Sequence, residues 1–218
     1  MFTQLTEISP STYFIIQGCA VTLQFSIISV LLGLIIGTLL AICKVNKNPF
    51  LRFFANFYTS IFRGTPLLIQ LSIIYFGLPG LIGVKLGIFA AGIIAFSLNS
   101  GAYVSELIRA GINGVDKGQI EAAKALAIQP NLIMKDIILP QAVRNILPSL
   151  INELINLIKE SAIISMIGGM DLMRRAQMVS SETFTYFMPM LIAALCYYMM
   201  IMLISRLGII LERKLAIT

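Results

Sequence analysis

Four stretches of the chain, residues 8–43, 64–84, 86–105 and 183–205, contain no Asp, Glu, Lys or Arg. A helix needs about 20 apolar residues to cross the hydrocarbon layer, and each stretch is of that order or longer. A fifth stretch, 148–168, is mainly apolar but carries Asn152, Glu153, Asn156, Lys159 and Glu160. The pattern predicts an all-α integral membrane protein of about five transmembrane helices, at 18–43, 65–82, 86–105, 148–168 and 187–207, forming one transmembrane domain over residues 1–218. The first helix is expected to be retained rather than removed as a signal peptide, because no basic residue precedes it and its apolar run is too long.

The longest polar stretch, about 106–145, is too short for an independent domain. It reads as two short helices. Asp116 is placed to cap the first, with Gln119 in the reciprocal position three residues later. Pro130 suits the first turn of the second, which should stop near Leu139 because Pro140 cannot continue it.

Charge then sets the orientation. Lys44, Lys47, Arg52 and Arg63 fall in the first loop, Arg109, Lys117, Lys124, Lys135 and Arg144 in the third, and Arg206, Arg213 and Lys214 at the C-terminal end. The opposite side receives only Lys85, Arg174 and Arg175. By the positive-inside rule the N-terminus is periplasmic and the C-terminus cytoplasmic, with 106–145 on the cytoplasmic side. The net charge of +6 therefore reports topology rather than a nucleic-acid surface.

Composition agrees: 58% of the residues are hydrophobic and 12% charged, too few for an ordinary water-facing surface. Cys19, Cys43 and Cys196 are odd in number and lack metal-site spacing, so they read as packing residues. Met199, Met200 and Met202 read the same way. There is no His and no GxxxxGK[ST] loop, so the chain is not expected to hydrolyse ATP or to be an enzyme.

Glu121-Ala122-Ala123, Ala127 and Ile137-x-Leu139-Pro140 follow the spacing EAA-x3-G-x9-I-x-LP, with Ala127 where Gly usually stands. Gly18 with Thr22-Leu23 and Ser26, Arg63-Gly64-Thr65-Pro66-Leu67, and Lys159-Glu160-Ser161-Ala162 extend the match over nearly the whole chain. On these residues the chain resembles the inner-membrane permease subunits of ABC importers, in the polar amino acid uptake branch (histidine, glutamate, glutamine, arginine, opine), and most of all its glutamine permeases. The resemblance implies the type I ABC importer permease (MetI-like) architecture in a bacterial inner membrane, working by alternating access. It implies that Glu121, Ala122, Ala123, Ala127, Ile137, Leu139 and Pro140 couple the helices to a cytoplasmic ATPase dimer. The expected partners are that ATPase with its ATP-Mg, a second permease subunit, a periplasmic amino-acid-binding protein and the amino acid. No cofactor or metal is expected in this chain. If the turn at Ala127 needs a positive φ, Ala costs about 1 kcal/mol relative to Gly.

Ionisable groups deep in a membrane are costly unless they face a partner or an aqueous path. Glu153, Asn156 and Glu160 are spaced i, i+3, i+7 and so share a helix stripe, which is expected to line the substrate path with Lys159 and Ser161. Carboxylates there suit an ammonium group or a cationic side chain. Arg63-Gly64-Thr65-Pro66-Leu67 offers the complement, since a helix start exposes N–H groups and a hydroxyl to a carboxylate. The structural alternatives are Lys159 paired with a neighbouring helix, Glu153 reaching toward the surface, and Arg63 as an ordinary anchor. Gly33 and Gly37 are read as helix packing.

Two other functions are compatible with parts of the pattern. A proton- or sodium-coupled secondary carrier would use Glu153, Lys159 and Glu160 as its ion site. A scaffold subunit would leave those residues without a purpose.

Overall fold

The computed structural model describes residues 2–216, with side chains over 10–214 apart from Ile82. The described residues are all helical or irregular, with no strand. In chain order the helices are α1 (Phe2–Val45), α2 (Pro49–Gly64), α3 (Leu67–Ser72), α4 (Leu78–Ile82), α5 (Ile88–Asn113), α6 (Lys117–Ala125), α7 (Pro130–Leu132), α8 (Leu139–Glu160), α9 (Leu172–Thr183) and α10 (Phe187–Ala216). Single π-helical stretches at Ile73–Gly77 and Ile133–Ile138 join α3 to α4 and α7 to α8, and a 3₁₀ stretch, Ser161–Ile167, follows α8.

α1 and α5 pack closely and run parallel, as their register shows. A Cβ on Gly33 would lie 2.7 Å from Ser100 Cβ, and one on Gly37 2.7 Å from Val104 Cβ. From the other side, a Cβ on Gly101 would meet Ile36 Cγ2 at 2.6 Å. The two backbones approach only because these positions lack side chains, the usual device where lipid offers helices no hydrophobic reason to associate. At one end of the pair Phe25 meets Phe96 edge to face with centroids 4.8 Å apart. At the other, Lys44 Nζ donates to Ser105 Oγ at 2.8 Å and pairs with Glu106, which also pairs with Arg109.

Parallel α1 and α5 require the chain between them to return. α8 packs antiparallel to α5, with Ile146 against Gly111 and Glu153 beside Ser100. α10 in turn runs antiparallel to α8, with Gly208 against Ile151 and Met200 in one buried cluster with Ile158. α1, α5 and α10 thus run in one direction and α8 in the other. One core joins Phe25, Leu71, Phe96, Leu157 and Ile164, and a second joins Ile15, Ile158, Leu172, Ala176 and Ala193.

Among the described residues three helices are long and apolar enough to cross a membrane: Pro10–Val45, Ile88–Asn113 and Phe187–Lys214. Each outruns its expected range of 18–43, 86–105 or 187–207. α5 continues past Ser105 because Lys44 and Arg109 neutralise Glu106 at the end of the pair. Charges that mark a loop in the sequence are here satisfied on the helix.

The remaining passes depart further. The expected helix 65–82 is present as the run Leu67–Ile82 with a π stretch inside it, but a further helix, α2, precedes it and meets Leu67–Leu81 at 103°. α2 itself occupies the expected loop, started by Asn48, whose side chain accepts from Phe50 N at 2.9 Å, and by Pro49 in its first turn. The expected helix 148–168 starts nine residues earlier, at Leu139, and ends as α-helix at Glu160, where the 3₁₀ turn takes over until Gly168 at φ +89°. The helix begun at Pro130 does not stop near Leu139. The π stretch before Pro140 shifts the hydrogen bonding so that Leu139 N donates to Met134 O, which relieves the proline clash, and the helix runs on into α8. α9 was not expected, although Asp171 supplies its cap by accepting from Arg174 N at 2.9 Å.

The Gly18, Thr22 and Ser26 positions are explained by α9. A Cβ on Gly18 would come within 2.5 Å of Leu172 Cα, and Thr22 Oγ1 accepts from Leu172 N at 3.3 Å. Ser26 Oγ bonds back to Thr22 O at 2.9 Å.

Substituting Gly37 by Leu should wedge α1 from α5, at about 1–3 kcal/mol. Thermal unfolding of the detergent-solubilised chain should show a clear fall in Tm, larger than for Gly80→Leu, where nothing lies within 4 Å of the added Cβ.

Candidate functional site

The segment between α5 and α8 folds around a small cluster of its own. Asp116 caps α6 by accepting from Gly118 N at 2.6 Å. Gln119 does not complete the expected box; its Oε1 accepts from Gln141 Nε2 at 2.7 Å, tying α6 to the start of α8. Val115, Ala123, Ile133 and Ile138 close a miniature core with Ile137 half-buried at its edge. Of the motif residues, Ala123 and Ile137 hold this unit together. Glu121, Ala122, Ala127, Leu139 and Pro140 stay exposed, as does Leu126, 76% accessible on the same helix.

α6 ends in a Schellman turn, with Ile128 N donating to Ala123 O at 3.1 Å and Ala127 N to Lys124 O at 2.9 Å. Ala127 sits at φ +56°, so the position does require the left-handed conformation. Ala127→Gly should therefore raise stability by about 1 kcal/mol, read as an upward shift of Tm.

The polar side chains of α8 differ in how far they are covered. Asn145, Asn152, Asn156, Lys159 and Glu160 are exposed on one open side of the helix. Glu153, on the same stripe as Glu160 two turns on, is buried against α5, where the Ser100 hydroxyl is its polar neighbour. The i, i+3, i+7 stripe is thus covered at Glu153, where α8 meets α5, and open at Asn156 and Glu160. Ser161 is fully buried, its hydroxyl bonded to Ile158 O at 2.7 Å. Lys159 makes no ion pair among the described residues, and its closest carboxylate influence is on adjacent Glu160. Glu153, at 8% exposure, does not reach for the surface.

The Arg63–Leu67 step forms the bend between α2 and α3. Arg63 lies over the Tyr103 ring, 5.3 Å from its centroid. Thr65 Oγ1, expected to be open to a ligand, donates to Ile61 O at 2.9 Å and accepts from Gln70 Nε2 at 2.9 Å. Gly64 and Pro66 are exposed, and Leu67 is buried in the core.

Gln70 and Asn99 are the residues that sequence reasoning missed. Gln70 Nε2 also donates to Phe62 O and Thr65 O at 2.9 and 3.0 Å. Asn99 Nδ2 donates to Gln70 Oε1 at 3.0 Å and to Phe62 O at 3.1 Å. The two amides satisfy the carbonyls that the bend frees and fasten it to α5, beside the seam that holds Glu153. Two uncharged amides within charge-free apolar runs were the available signal. Gln70→Leu should orphan Thr65 O and leave Asn99 with only its bond to Phe62 O, costing about 1–3 kcal/mol, and the double variant with Asn99→Leu should cost less than the sum of the singles in thermal unfolding.

A cavity of about 260 Å³ opens between Thr22, Phe25, Phe89, Ile164 and Asp171 at the far end of the bundle from α6. Its lining is almost wholly apolar, so it lacks the convergent polar groups of the α8 face.

Residues 29–217 match the family described as binding-protein-dependent transport system inner membrane component. The chain belongs to this family. It is a membrane transport component of the bacterial inner membrane, not an enzyme. Among curated proteins it is 70% identical over 217 residues, and the full length of both, to the putative glutamine transport system permease protein of Rickettsia conorii. It is 51% identical to the arginine transport system permease protein of Bacillus subtilis, over 94% of each chain. Among solved structures it resembles the crystal structure of an amino acid ABC transporter with histidines at TM-score 0.91 and 41% identity, covering 98% of both chains. The inward-facing methionine ABC transporter shares the fold at TM-score 0.80 and 20% identity, over 94% of this chain and 98% of that one.

Proposed function

We propose that this chain is the permease subunit of an ABC importer that carries a polar amino acid, glutamine in the first instance, into the cytoplasm. The observation that carries this reading is the continuity of one helix: the run from Pro130 through α8 packs on α6 at its start and bears the open polar face at its end. A push on exposed Glu121, Ala122 and Leu126 is thereby passed to Asn152, Asn156, Lys159 and Glu160 without a hinge. Relatives named for glutamine and arginine transport support amino acids as the cargo.

In this reading the side bearing α6 and the C-terminus faces the cytoplasm, in line with the basic residues there. The chain crosses five times, with α8 as a crossing too charged to stand in lipid alone and covered on its polar side by the second permease subunit or by the aqueous path. Two ATPase subunits, binding ATP-Mg, close beneath α6, and a periplasmic binding protein delivers the substrate. Lys159 meets the substrate carboxylate and Glu160 its ammonium, with Asn156 beside them and Ser161 behind. Glu153 holds a cationic side chain if one is present. The arginine-named relative favours basic amino acids as the second reading.

ATP-dependent uptake of labelled glutamine into proteoliposomes, with the ATPase and ATP inside and the binding protein outside, should be abolished by Glu121→Lys. Glu160→Gln should leave ATPase assembly intact while raising the half-saturating concentration roughly tenfold, the loss of one charge-assisted contact. Uptake that persists without ATP and follows a proton or sodium gradient would overturn the importer in favour of an ion-coupled carrier.

A further inference from the structure

α2 has three faces where a helix packed on a protein normally has two. Its inner face, Leu51, Ala55, Tyr58, Thr59 and Phe62, packs on α1 and α5, with Tyr58 Oη donating to Leu98 O at 2.8 Å. A second stripe, Phe50, Phe53, Phe54, Phe57 and Ile61, is wholly apolar and 43–71% exposed, with Phe53 and Phe57 stacked at 6.0 Å. The third, Arg52, Asn56, Ser60 and Arg63, is polar and exposed. The spacings i, i+3, i+4, i+7, i+11 and i, i+4, i+8, i+11 make each a continuous band along the helix.

Orientation says what covers the aromatic band. α2 stands at 103° to Leu67–Leu81, so where that pass runs along the bundle, α2 lies across it, close to the membrane plane. Its depth is set from both ends. It follows the α1 terminus marked by the Lys44, Glu106 and Arg109 ion cluster, and Tyr58 reaches Leu98, eight residues or ~12 Å along α5 from Glu106. A helix at that level has one side toward acyl chains and the other toward water, matching its apolar and polar bands.

Charge points to the same surface. No acidic residue occurs between Glu7 and Glu106, and exposed Lys47 and Arg52 have no carboxylate partner among the described residues. Buried Lys44, by contrast, is fully paired. We propose that α2 is an in-plane membrane anchor: the Phe50–Ile61 band seats in the acyl region of the leaflet on the α6 side, and Lys47 with Arg52 holds anionic phospholipid headgroups. It fixes the level of the Gln70–Asn99 bend, and with it the start of α3, relative to the bilayer.

The chain contains no Trp, which allows single-Trp reporters. The full chain carrying Phe53→Trp or Phe57→Trp, and in parallel Asn56→Trp or Ser60→Trp, would be reconstituted in phosphatidylcholine vesicles. Fluorescence at 53 and 57 should be quenched by acyl-brominated lipid and shielded from iodide, with the reverse at 56 and 60. Iodide quenching at 53 and 57 would overturn the anchor, and protection from both quenchers would replace lipid by a second copy of the chain as the occupant. With brominated phosphatidylglycerol as the minor lipid, quenching of the Phe53→Trp chain should reveal enrichment over brominated phosphatidylcholine of about fivefold per basic residue. Lys47→Gln with Arg52→Gln should abolish that enrichment. Equal quenching by the two lipids in the parent reporter would refute the headgroup contact.

Discussion

The close approach of α1 to α5 is the constraint on which the other contacts rest. Lipid tails are as apolar as the helix surfaces, so burial alone does not drive these two helices together. Missing side chains at Gly33, Gly37 and Gly101 let dispersion contacts form along their length instead. Because the pair is parallel, the chain between must come back, and α5 serves as the wall for α2, α3 and α8. Tyr58 of α2, Gln70 of α3 and Ile146 and Glu153 of α8 all find their partners on it.

That arrangement makes α5 both scaffold and boundary of the polar region. Asn99 and Ser100 are neighbours on it, one fastening the α2–α3 bend and the other facing Glu153. The bend therefore cannot shift far without disturbing the seam where α8 lies. Beyond that seam, the exposed amides, Lys159 and Glu160 of α8 are not covered by the chain's own core. Such a surface is incomplete in one subunit, which suits a path formed between two.

The segment between α5 and α8 solves a mechanical problem with local chemistry. A proline in the wrong register would break the helix that must be stiff, yet the π stretch at Ile133–Ile138 carries it through Pro140 intact. The tight turn at Ala127 folds α6 back so that Ala123 packs on Ile133 and Ile138. Ala at a left-handed position is a local strain offset by that packing.

Much of this was readable along the chain. Charge-free runs are local properties, and they located the apolar helices, since any window of about 20 such residues has one comfortable environment. The Asp116 cap and the EAA spacing are likewise short-range signals, and the second led to the family. Contacts between distant segments are not written in any window. Lys44 and Glu106 lie 62 positions apart, so nothing local said that the charges ending α5 would be paired and the helix prolonged. Gln70 and Asn99 looked like ordinary polar interruptions until the bend freed carbonyls for them to satisfy. Periodicity put Glu153 and Glu160 on one stripe, and only the position of α5 decided that the first is buried and the second open. Sequence determined which segments are long and apolar enough for a membrane and which family the chain belongs to; tertiary structure decided where the chain bends and which polar groups are covered, because those depend on which helix lies alongside.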